Sequence, residues 1–208
     1  GRVYDPACGS GGMFAHSADF VARHEREPGG ALSLYGVEKT RETLRLMKMN
    51  LAMHGMGGQV SEANSYYDDP FDSVGKFDFV MANPPFNVDK VDKAKLKKDV
   101  GGKEVVDARF PFGLPTADNA NYLWISLFYA TLNETGRAGF VMANSASDAR
   151  GSEAEIRRKL IEADLVECLV ALPGQLFTNT QIPACIWLLT KSKGARGDRR
   201  DRRGETLF

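Results

Sequence analysis

The fold of this 208-residue chain is decided where a short apolar stretch runs directly into a glycine-rich turn, Arg2-Val3-Tyr4-Asp5-Pro6-Ala7-Cys8-Gly9-Ser10-Gly11-Gly12. The apolar stretch predicts a buried strand, and Met13, Phe14 and Val21 behind the turn have the spacing of a helix. A glycine turn between a strand and a helix lies at the carboxyl edge of a parallel sheet, where folds of this kind bind ligands. The stretch therefore predicts an α/β fold with a binding site at the turn.

The rest of the chain continues the alternation of strand and helix. Strand-like stretches recur at 2–4, 32–37, 59–61, 77–82, 138–143, 165–172 and 184–190, and helical patterns lie around 13–21, 44–51, 123–132 and 156–161. Ser152 and Glu155 form a capping-box pattern at the start of the fourth helix. Only residues 173–183 join the last two strands, too few for a crossover helix, so that pair is expected to be antiparallel. The prediction is a Rossmann-like, seven-stranded, mostly parallel sheet with an antiparallel last strand.

Composition excludes several classes of protein. Lys and Arg total 27 and Asp and Glu total 27, so no overall charge marks a general polyanion binder. The apolar stretches are far shorter than the roughly 20 residues of a membrane helix, and no signal peptide is visible. Three cysteines far apart favour reduced thiols, and the histidines lack the spacing of metal ligands. We expect a soluble, cytoplasmic, metal-free protein of one domain.

Two regions do not follow the alternation. Residues 87–119 show no core-like periodicity and mix lysines with acids, which fits either a solvated mobile loop or a lid over a ligand. Residues 191–203 carry seven basic and two acidic side chains, a net charge of +5 (7 minus 2). This second region is interpreted as a linker or flexible extension, with contact to nucleic acid as the alternative.

The glycine turn and the end of the second strand together suggest a nucleoside site. The turn lacks the spacing that cradles a pyrophosphate, and a carboxylate at Asp5 would repel phosphates but suit a cationic ligand. Glu38 ends the second strand, where dinucleotide folds place the acid that binds ribose hydroxyls. Alone, the glycines could form only a tight structural turn. With Glu38, they indicate a nucleoside without phosphates.

A second motif, Asn83-Pro84-Pro85-Phe86, follows the fourth predicted strand. Two successive prolines stiffen the backbone and remove two amide donors, so this edge accepts hydrogen bonds and does not donate them. The side-chain oxygen of Asn83 and the carbonyl of Pro84 could accept both N–H groups of a planar exocyclic amine. Phe86 could stack on the ring that carries the amine. The competing interpretation is that the motif merely ends a strand.

In this order and spacing, the glycine turn, Glu38 and Asn83 to Phe86 resemble the motifs of S-adenosylmethionine-dependent methyltransferases that act on N6 of adenine in DNA. The resemblance is closer to the modification subunit of type I restriction-modification systems. It extends to residues 150–157, 172–183 and 202–208, so it covers almost the whole chain. Two departures are visible: Asn64-Ser65 stands where many members have an acid, and the family's helical region before the first motif is not in this sequence.

The resemblance implies a role for each matching residue. The cofactor S-adenosylmethionine would be bound by residues of the turn and of the next two strand ends, namely Asp5, Ala7, Gly9, Ser10, Gly11, Glu38 and Asn64. The target amine and its ring would be bound by the catalytic residues Asn83, Pro84, Pro85 and Phe86. Phe177, in the hairpin that the family places over the flipped base, is a second stacking candidate, or a core residue.

The predicted reaction is direct transfer of a methyl group to adenine N6 turned out of double-stranded DNA. Residues 1–190 would form the catalytic domain and 191–208 a basic linker or tail. The resemblance implies a hetero-oligomer with a specificity subunit, which would select the DNA sequence, and a restriction subunit. Three alternatives stay open: methylation of guanine N2 in RNA or of protein glutamine, a non-catalytic assembly subunit with the same fold, and a nicotinamide dehydrogenase, which the glycine spacing disfavours.

Overall fold

The computed structural model describes residues 1–24, 32–116, 120–177 and 181–208. Within these ranges the strands are β1 (Arg2–Asp5), β2 (Ser33–Glu38), β3 (Gly58–Glu62), β4 (Phe77–Ala82), β5 (Lys97–Val100), β6 (Lys103–Val106), β7 (Leu132–Ala143), β8 (Val166–Ala171) and β9 (Ala184–Thr190). The helices are α1 (Gly12–His24), α2 (Arg41–Met53), α3 (Asn121–Thr131) and α4 (Ser152–Glu162), with short 3-10 helices at Lys93–Leu96 and Asn144–Asp148.

The main sheet has seven strands in the order β3-β2-β1-β4-β7-β9-β8. Strands β1, β2, β3, β4 and β7 pair in parallel, whereas β9 lies antiparallel between β7 and β8. The predicted mostly parallel sheet, with its antiparallel last strand, is therefore confirmed. The carboxyl ends of β1 to β4 and β7 meet at one edge of the sheet, which is where the glycine turn and the Asn-Pro-Pro-Phe motif both begin.

Helices cover both faces of this sheet. Val3 packs with Phe14 and Met47 of α1 and α2, while the next residue, Tyr4, packs in a separate cluster with Phe128 and Ile156 of α3 and α4. Successive side chains of a strand point to opposite faces, so neighbouring positions on β1 enter different cores. The fold thus has three layers, and the sheet edge between the helical layers stays open for a site.

Helix α3 is buried on nearly all sides, because protein packs against two opposite sides of it. The sheet covers one side, and Leu96 and Phe110 from residues 87–116 pack in the same core. None of the helices in the described part of the chain has the length and apolar character that crossing a bilayer requires. Cys8, Cys168 and Cys185 are buried free thiols.

Residues 87–119 were interpreted as a solvated mobile loop or a lid, but part of this region is regular structure that packs in the core. Residues 97–106 form a two-stranded antiparallel hairpin, β5–β6, and Leu96 and Phe110 are each 1% exposed. Isolated apolar residues on irregular backbone leave no periodicity, so the pattern could not show that this region contributes to the core. Residues 117–119, at the end of that region, lie outside the described residues.

Two helix boundaries also differ from expectation. The predicted capping box is wrong: Gly151 is the N-cap of α4, and the Ser152 hydroxyl accepts hydrogen bonds from the backbone N–H and the hydroxyl of Thr116, both at 2.8 Å. Leu132, counted with the third helical pattern, is the first residue of β7. In both cases tertiary contacts decide the boundary.

Residues 191–208, predicted to be a linker or tail, return to the outer edge of the sheet. Leu207 exchanges backbone hydrogen bonds with Glu167 and Leu169, beside β8. The ammonium of Lys193, with its side chain 1% exposed, donates to Asp164 Oδ1 at 2.6 Å. The described tail is thus packed on the sheet, and its division from the catalytic domain stays a prediction.

Candidate functional site

A cavity of about 280 Å³ lies at the carboxyl edge of the sheet. Four strand ends and one helix contribute to it, and its lining residues are Pro6, Ala7, Glu38, Lys39, Thr40, Ala63, Asn64, Ser65, Tyr66, Pro85, Val88 and Trp124. These residues follow β1, β2, β3 and β4 or belong to α3. The cavity therefore gathers the ends of neighbouring parallel strands, as the fold predicts.

The glycine turn folds back on itself before α1 begins. Gly9 and Gly11 have φ of +53° and +85°, values that side chains with a Cβ rarely adopt. The backbone N–H of Gly11 donates to the carbonyl of Cys8 at 2.8 Å, and the N–H of Cys8 donates to the carbonyl of Val37 at 3.0 Å. These bonds attach the turn to β2, next to Glu38.

Glu38 holds the turn and the start of α2 through its carboxylate. One oxygen accepts from the backbone N–H of Gly9 at 3.2 Å and the other from that of Thr40 at 2.8 Å. A carboxylate oxygen has lone pairs for two hydrogen bonds, so each oxygen keeps capacity for a further donor. Glu38 is half-buried and lines the cavity, so it presents a fixed pair of acceptors to any hydroxyl groups bound there.

Asp5 lies beneath the turn and does not line the cavity. It is 1% exposed, and its carboxylate accepts from the backbone N–H of Ala7 at 2.9 Å. Burial raises the pKa of Asp5 to about 7, against the hydrogen bond from Ala7, and the charge of Glu38 adds to the rise. Its predicted contact with the cofactor stays a prediction.

The Asn-Pro-Pro-Phe motif forms a rim beside the cavity. Asn83 is exposed directly after β4, Pro84 is buried, Pro85 lines the cavity and Phe86 is half-buried. Because Pro84 and Pro85 have no N–H, the backbone of these two residues offers acceptors only. Of the four, Pro85 lines the cavity together with Glu38, whereas Asn83, Pro84 and Phe86 are not among its lining residues, and the catalytic roles predicted for the motif stay predictions.

Asn64 lines the cavity from the end of β3. Its side-chain oxygen accepts from the backbone N–H of Tyr66 at 3.1 Å, and its backbone carbonyl accepts from Tyr67 and Asp68 at 2.9 and 2.8 Å. The side-chain oxygen retains one lone pair. The amide can therefore serve as an acceptor towards the cavity, although its role there is untested.

The aromatic wall of the cavity was not foreseen. Tyr66 and Trp124 lie with ring centroids 4.6 Å apart, and both line the cavity. An apolar helix pattern gives Trp124 the same signal as a core residue, so the sequence did not single it out. Sequence reasoning also missed Lys39, Thr40, Ala63, Ser65 and Val88, each of which is close in sequence to a predicted site residue.

The remaining predicted residues lie around the cavity without lining it. The N–H of Gly9 donates to Glu38, which lines the cavity, and the carbonyl of Ser10, one residue before Gly11, accepts from the amide of Asn50 in α2 at 2.9 Å. Phe177 is half-buried next to residues 178–180, which are not described, so its stacking role stays a prediction. In the described residues, no group of three or more His, Cys, Asp or Glu side chains could hold a metal ion.

Comparison with known proteins places these features in a wider group. A family model described as N-6 DNA Methylase matches residues 1–208. The chain is 41% identical over 210 residues to the type I restriction enzyme HindI methylase subunit of Haemophilus influenzae, covering 100% of this chain and 44% of that protein. It is also 41% identical over 193 residues to the type I restriction enzyme MjaIX methylase subunit of Methanocaldococcus jannaschii, covering 93% and 34%.

A solved structure agrees on the fold. The type I restriction-modification system methyltransferase subunit from Streptococcus thermophilus superposes with a TM-score of 0.78 at 23% identity, covering 96% of this chain and 44% of that one. This likeness agrees with the predicted Rossmann-like fold, a mostly parallel sheet with an antiparallel last strand. The chain spans between a third and a half of the length of the curated relatives it matches.

Proposed function

Because the chain belongs to the N-6 DNA methylase family, we propose that it transfers the methyl group of S-adenosylmethionine to N6 of adenine in DNA, as part of a type I modification subunit. One observation carries the proposal: Pro85 of the rim lines the same cavity as Glu38 and Asn64. A site for an exocyclic amine therefore borders a site suited to a nucleoside.

The residues of the cavity fit S-adenosylmethionine better than a dinucleotide. Glu38 offers two oriented acceptors to ribose hydroxyls, and the glycine turn lacks the spacing that cradles a pyrophosphate. Tyr66, Trp124 and Pro85 give apolar surface for a flat base. When bound, S-adenosylmethionine supplies an electrophilic methyl group on a sulfonium sulfur.

The rim supplies orientation and does not supply a strong base. The Asn83 amide oxygen and the Pro84 carbonyl accept the two N–H groups of the target amine, and Phe86 stacks on its ring. Held in this way, the amine directs its lone pair at the cavity, and fixed alignment of reacting groups is a large source of rate. The Asn83 side chain has no ionisable group, so its role in binding the amine should not depend on pH.

In this proposal the substrate is double-stranded DNA from which adenine is turned out, because N6 is inaccessible within the base stack. Residues 1–190 carry the reaction, and the assembled enzyme contains a specificity subunit and a restriction subunit. The family names of the relatives support that context. The protein acts in the cytoplasm, where the DNA is.

The test combines binding and product analysis. Calorimetry on this chain should detect binding of S-adenosylmethionine. The modification subunit assembled with its specificity subunit should then transfer labelled methyl groups to duplex DNA, and digestion should yield N6-methyladenine. Separate reactions contain RNA and protein. If guanine methylated at N2 or methylglutamine is the main product, the substrate is RNA or protein and the proposal is wrong. Failure to bind the cofactor would favour a non-catalytic subunit.

A further inference from the structure

Arg109 is a buried cation that does not line the cavity but donates hydrogen bonds to residues that do. It is 3% exposed and follows the β5–β6 hairpin. One terminal nitrogen, Nη1, donates to the carbonyl oxygens of Ser65 and Asp68 at 2.9 and 2.8 Å, and Nη2 approaches the carbonyl of Tyr66 at 3.4 Å. Three carbonyls of one short turn therefore depend on a single side chain.

The charge of Arg109 is balanced by Asp107. Nε and Nη2 of Arg109 donate to the two carboxylate oxygens of Asp107 at 3.1 and 3.2 Å, and Lys98 Nζ lies 2.7 Å from the second oxygen. Burial would raise the pKa of Asp107, but the bonds from Arg109 and Lys98 outweigh it and hold the pKa well below its usual range. The carboxylate of Asp107 thus stays charged at neutral pH.

The turn that Arg109 bonds to is part of the cavity. Ser65 and Tyr66 line it, and the Ser65 hydroxyl donates to the carbonyl of Pro6, another lining residue, at 2.5 Å. Ser65 thus bonds to Arg109 through its backbone carbonyl and to the first turn of the fold through its hydroxyl. Movement of the guanidinium would shift the walls after β3 and β1 together.

The segment that carries Arg109 begins at the rim. Asn87, the first residue after the motif, is bonded to Asn121 of α3, and Arg109 bonds to the turn after β3. The segment is therefore fixed at two points, one near the site for the amine and one on the wall of the nucleoside cavity. A buried ion pair such as Arg109 and Asp107 adds little net stability on its own. Stability alone therefore does not explain why Arg109 is buried against this turn.

We propose that Arg109 is a positioning residue for the cofactor cavity: its fork of donors to the carbonyls of Ser65, Tyr66 and Asp68 fixes the wall that contacts the cofactor. The inference rests on the proposed function only in naming the ligand. Arg109 itself touches neither the cavity nor the reacting atoms. Its effect is on affinity for the cofactor, and not on the transfer step.

The test measures the Kd for S-adenosylmethionine and for S-adenosylhomocysteine by calorimetry, at a temperature where every variant is folded by circular dichroism. We expect Arg109→Met to weaken binding of both about ten-fold or more, the effect of losing one charge-assisted hydrogen bond. Arg109→Lys cannot fork to three carbonyls and should also weaken binding, but it keeps the charge and part of the donor set, so its loss of affinity should be smaller than that of Arg109→Met.

Lys193→Met is the matched control. Lys193 is also a buried cation paired with a carboxylate, Asp164, but it lines a different cavity beside β8. Its loss should lower the unfolding temperature and leave both Kd values within two-fold. Equal Kd values for wild type and Arg109→Met would overturn the inference.

Hydrogen exchange separates this inference from the proposed function. The amides of Tyr67 and Asp68 donate within the turn that Arg109 holds, so they should exchange faster in Arg109→Met and Arg109→Lys without any ligand. If the wild-type chain fails to bind the cofactor while these amides lose protection in the variants, the proposed ligand is wrong and the positioning role stands. Unchanged protection in both variants would contradict the positioning role itself.

Discussion

Asn87 and Asn121 exchange a pair of hydrogen bonds. The backbone N–H of Asn87 donates to Asn121 Oδ1 at 2.9 Å, and Asn121 Nδ2 donates to Asn87 Oδ1 at 2.8 Å. Asn87 has a φ of +52°, so the chain turns sharply straight after the motif. The pair attaches the far end of the rim to a helix that is buried on all sides, and so fixes where Phe86 can lie.

Removing this pair should disturb the rim and spare the nucleoside cavity. Asn121→Ala removes both hydrogen bonds to Asn87, which is exposed, so water can replace them and the loss should be about 0.5–1.5 kcal/mol. We expect a lower unfolding midpoint and a methyl-transfer rate reduced about ten-fold or more, with cofactor Kd within a few-fold. Denaturant unfolding, single-turnover transfer and calorimetry measure the three quantities. A variant that loses cofactor affinity and keeps the rate would contradict the assignment.

Glu38→Gln should weaken cofactor binding. Gln retains one acceptor oxygen, but its NH2 group would face the N–H of Gly9 or Thr40, both of which now donate to the carboxylate. Hydrogen bonds to charged groups contribute about 1.5–3 kcal/mol, so the Kd should rise roughly 10- to 150-fold. Glu62→Gln is the control, because Glu62 ends the neighbouring strand, is exposed and lies outside the cavity. Equal effects of the two substitutions would argue against the role of Glu38.

The buried carboxyl of Asp5 should make stability depend on pH. Its pKa is raised from 3.8 to about 7 in the folded chain, so between these values the folded state binds more protons than the unfolded state. The contribution of this carboxyl to the free energy of unfolding is therefore fully present below about pH 4. It decreases as the pH rises towards about 7, by roughly 4 kcal/mol in all. Asp5→Asn keeps an acceptor for the Ala7 N–H and removes this dependence.

The measurement is the unfolding free energy of both proteins, without cofactor, at several pH values from 4.5 to 7.5. Other carboxylates titrate in both proteins, so the difference between wild type and Asp5→Asn isolates the one group. It should shift in favour of Asp5→Asn as the pH rises. A difference that is constant over this range would mean that Asp5 ionises normally.

Gly136 occupies a place in β7 where no side chain fits. A Cβ there would lie 2.7 Å from the backbone carbonyl oxygen of Phe77, on the neighbouring strand. Gly136→Ala should destabilise the chain by about 1–3 kcal/mol, measured by denaturant unfolding, as overpacking does elsewhere. Gly57→Ala, where nothing lies within 4 Å of the added atom, should change stability by less than about 0.5 kcal/mol. Equal denaturant midpoints for Gly136→Ala and Gly57→Ala would contradict the close packing at Gly136.

The sequence predicted most of the sheet because its strands are continuous apolar stretches closed by recognisable turns. The glycine turn and the Asn-Pro-Pro-Phe motif both follow strands at the same edge, and the structure brings Ala7, Glu38, Asn64 and Pro85 to one cavity. Local patterns succeed here because each motif is attached to a strand end, and parallel strands place their carboxyl ends together.

The rest depends on contacts between segments far apart in the chain. Arg109 looked like one more charge in a polar loop, yet it bonds to carbonyls 41 to 44 residues away. Trp124 gave only the signal of an apolar helix. Ser152 was assigned to a cap because Glu155 follows it at capping-box spacing, whereas its actual partner, Thr116, is 36 residues away. Periodicity and motif spacing report only on residues that are close in sequence, so they could not predict hydrogen bonds between these distant residues.

The account depends most on the rim as the acceptor of the target amine. The direct measurement is single-turnover methyl transfer to duplex DNA by the assembled modification enzyme with Asn83→Ala, at saturating cofactor, beside calorimetry of cofactor binding. Asn133→Ala, at the opposite end of the sheet, is the control. We predict that Asn83→Ala abolishes transfer and leaves the cofactor Kd within a few-fold. Transfer at close to the wild-type rate would contradict the central claim.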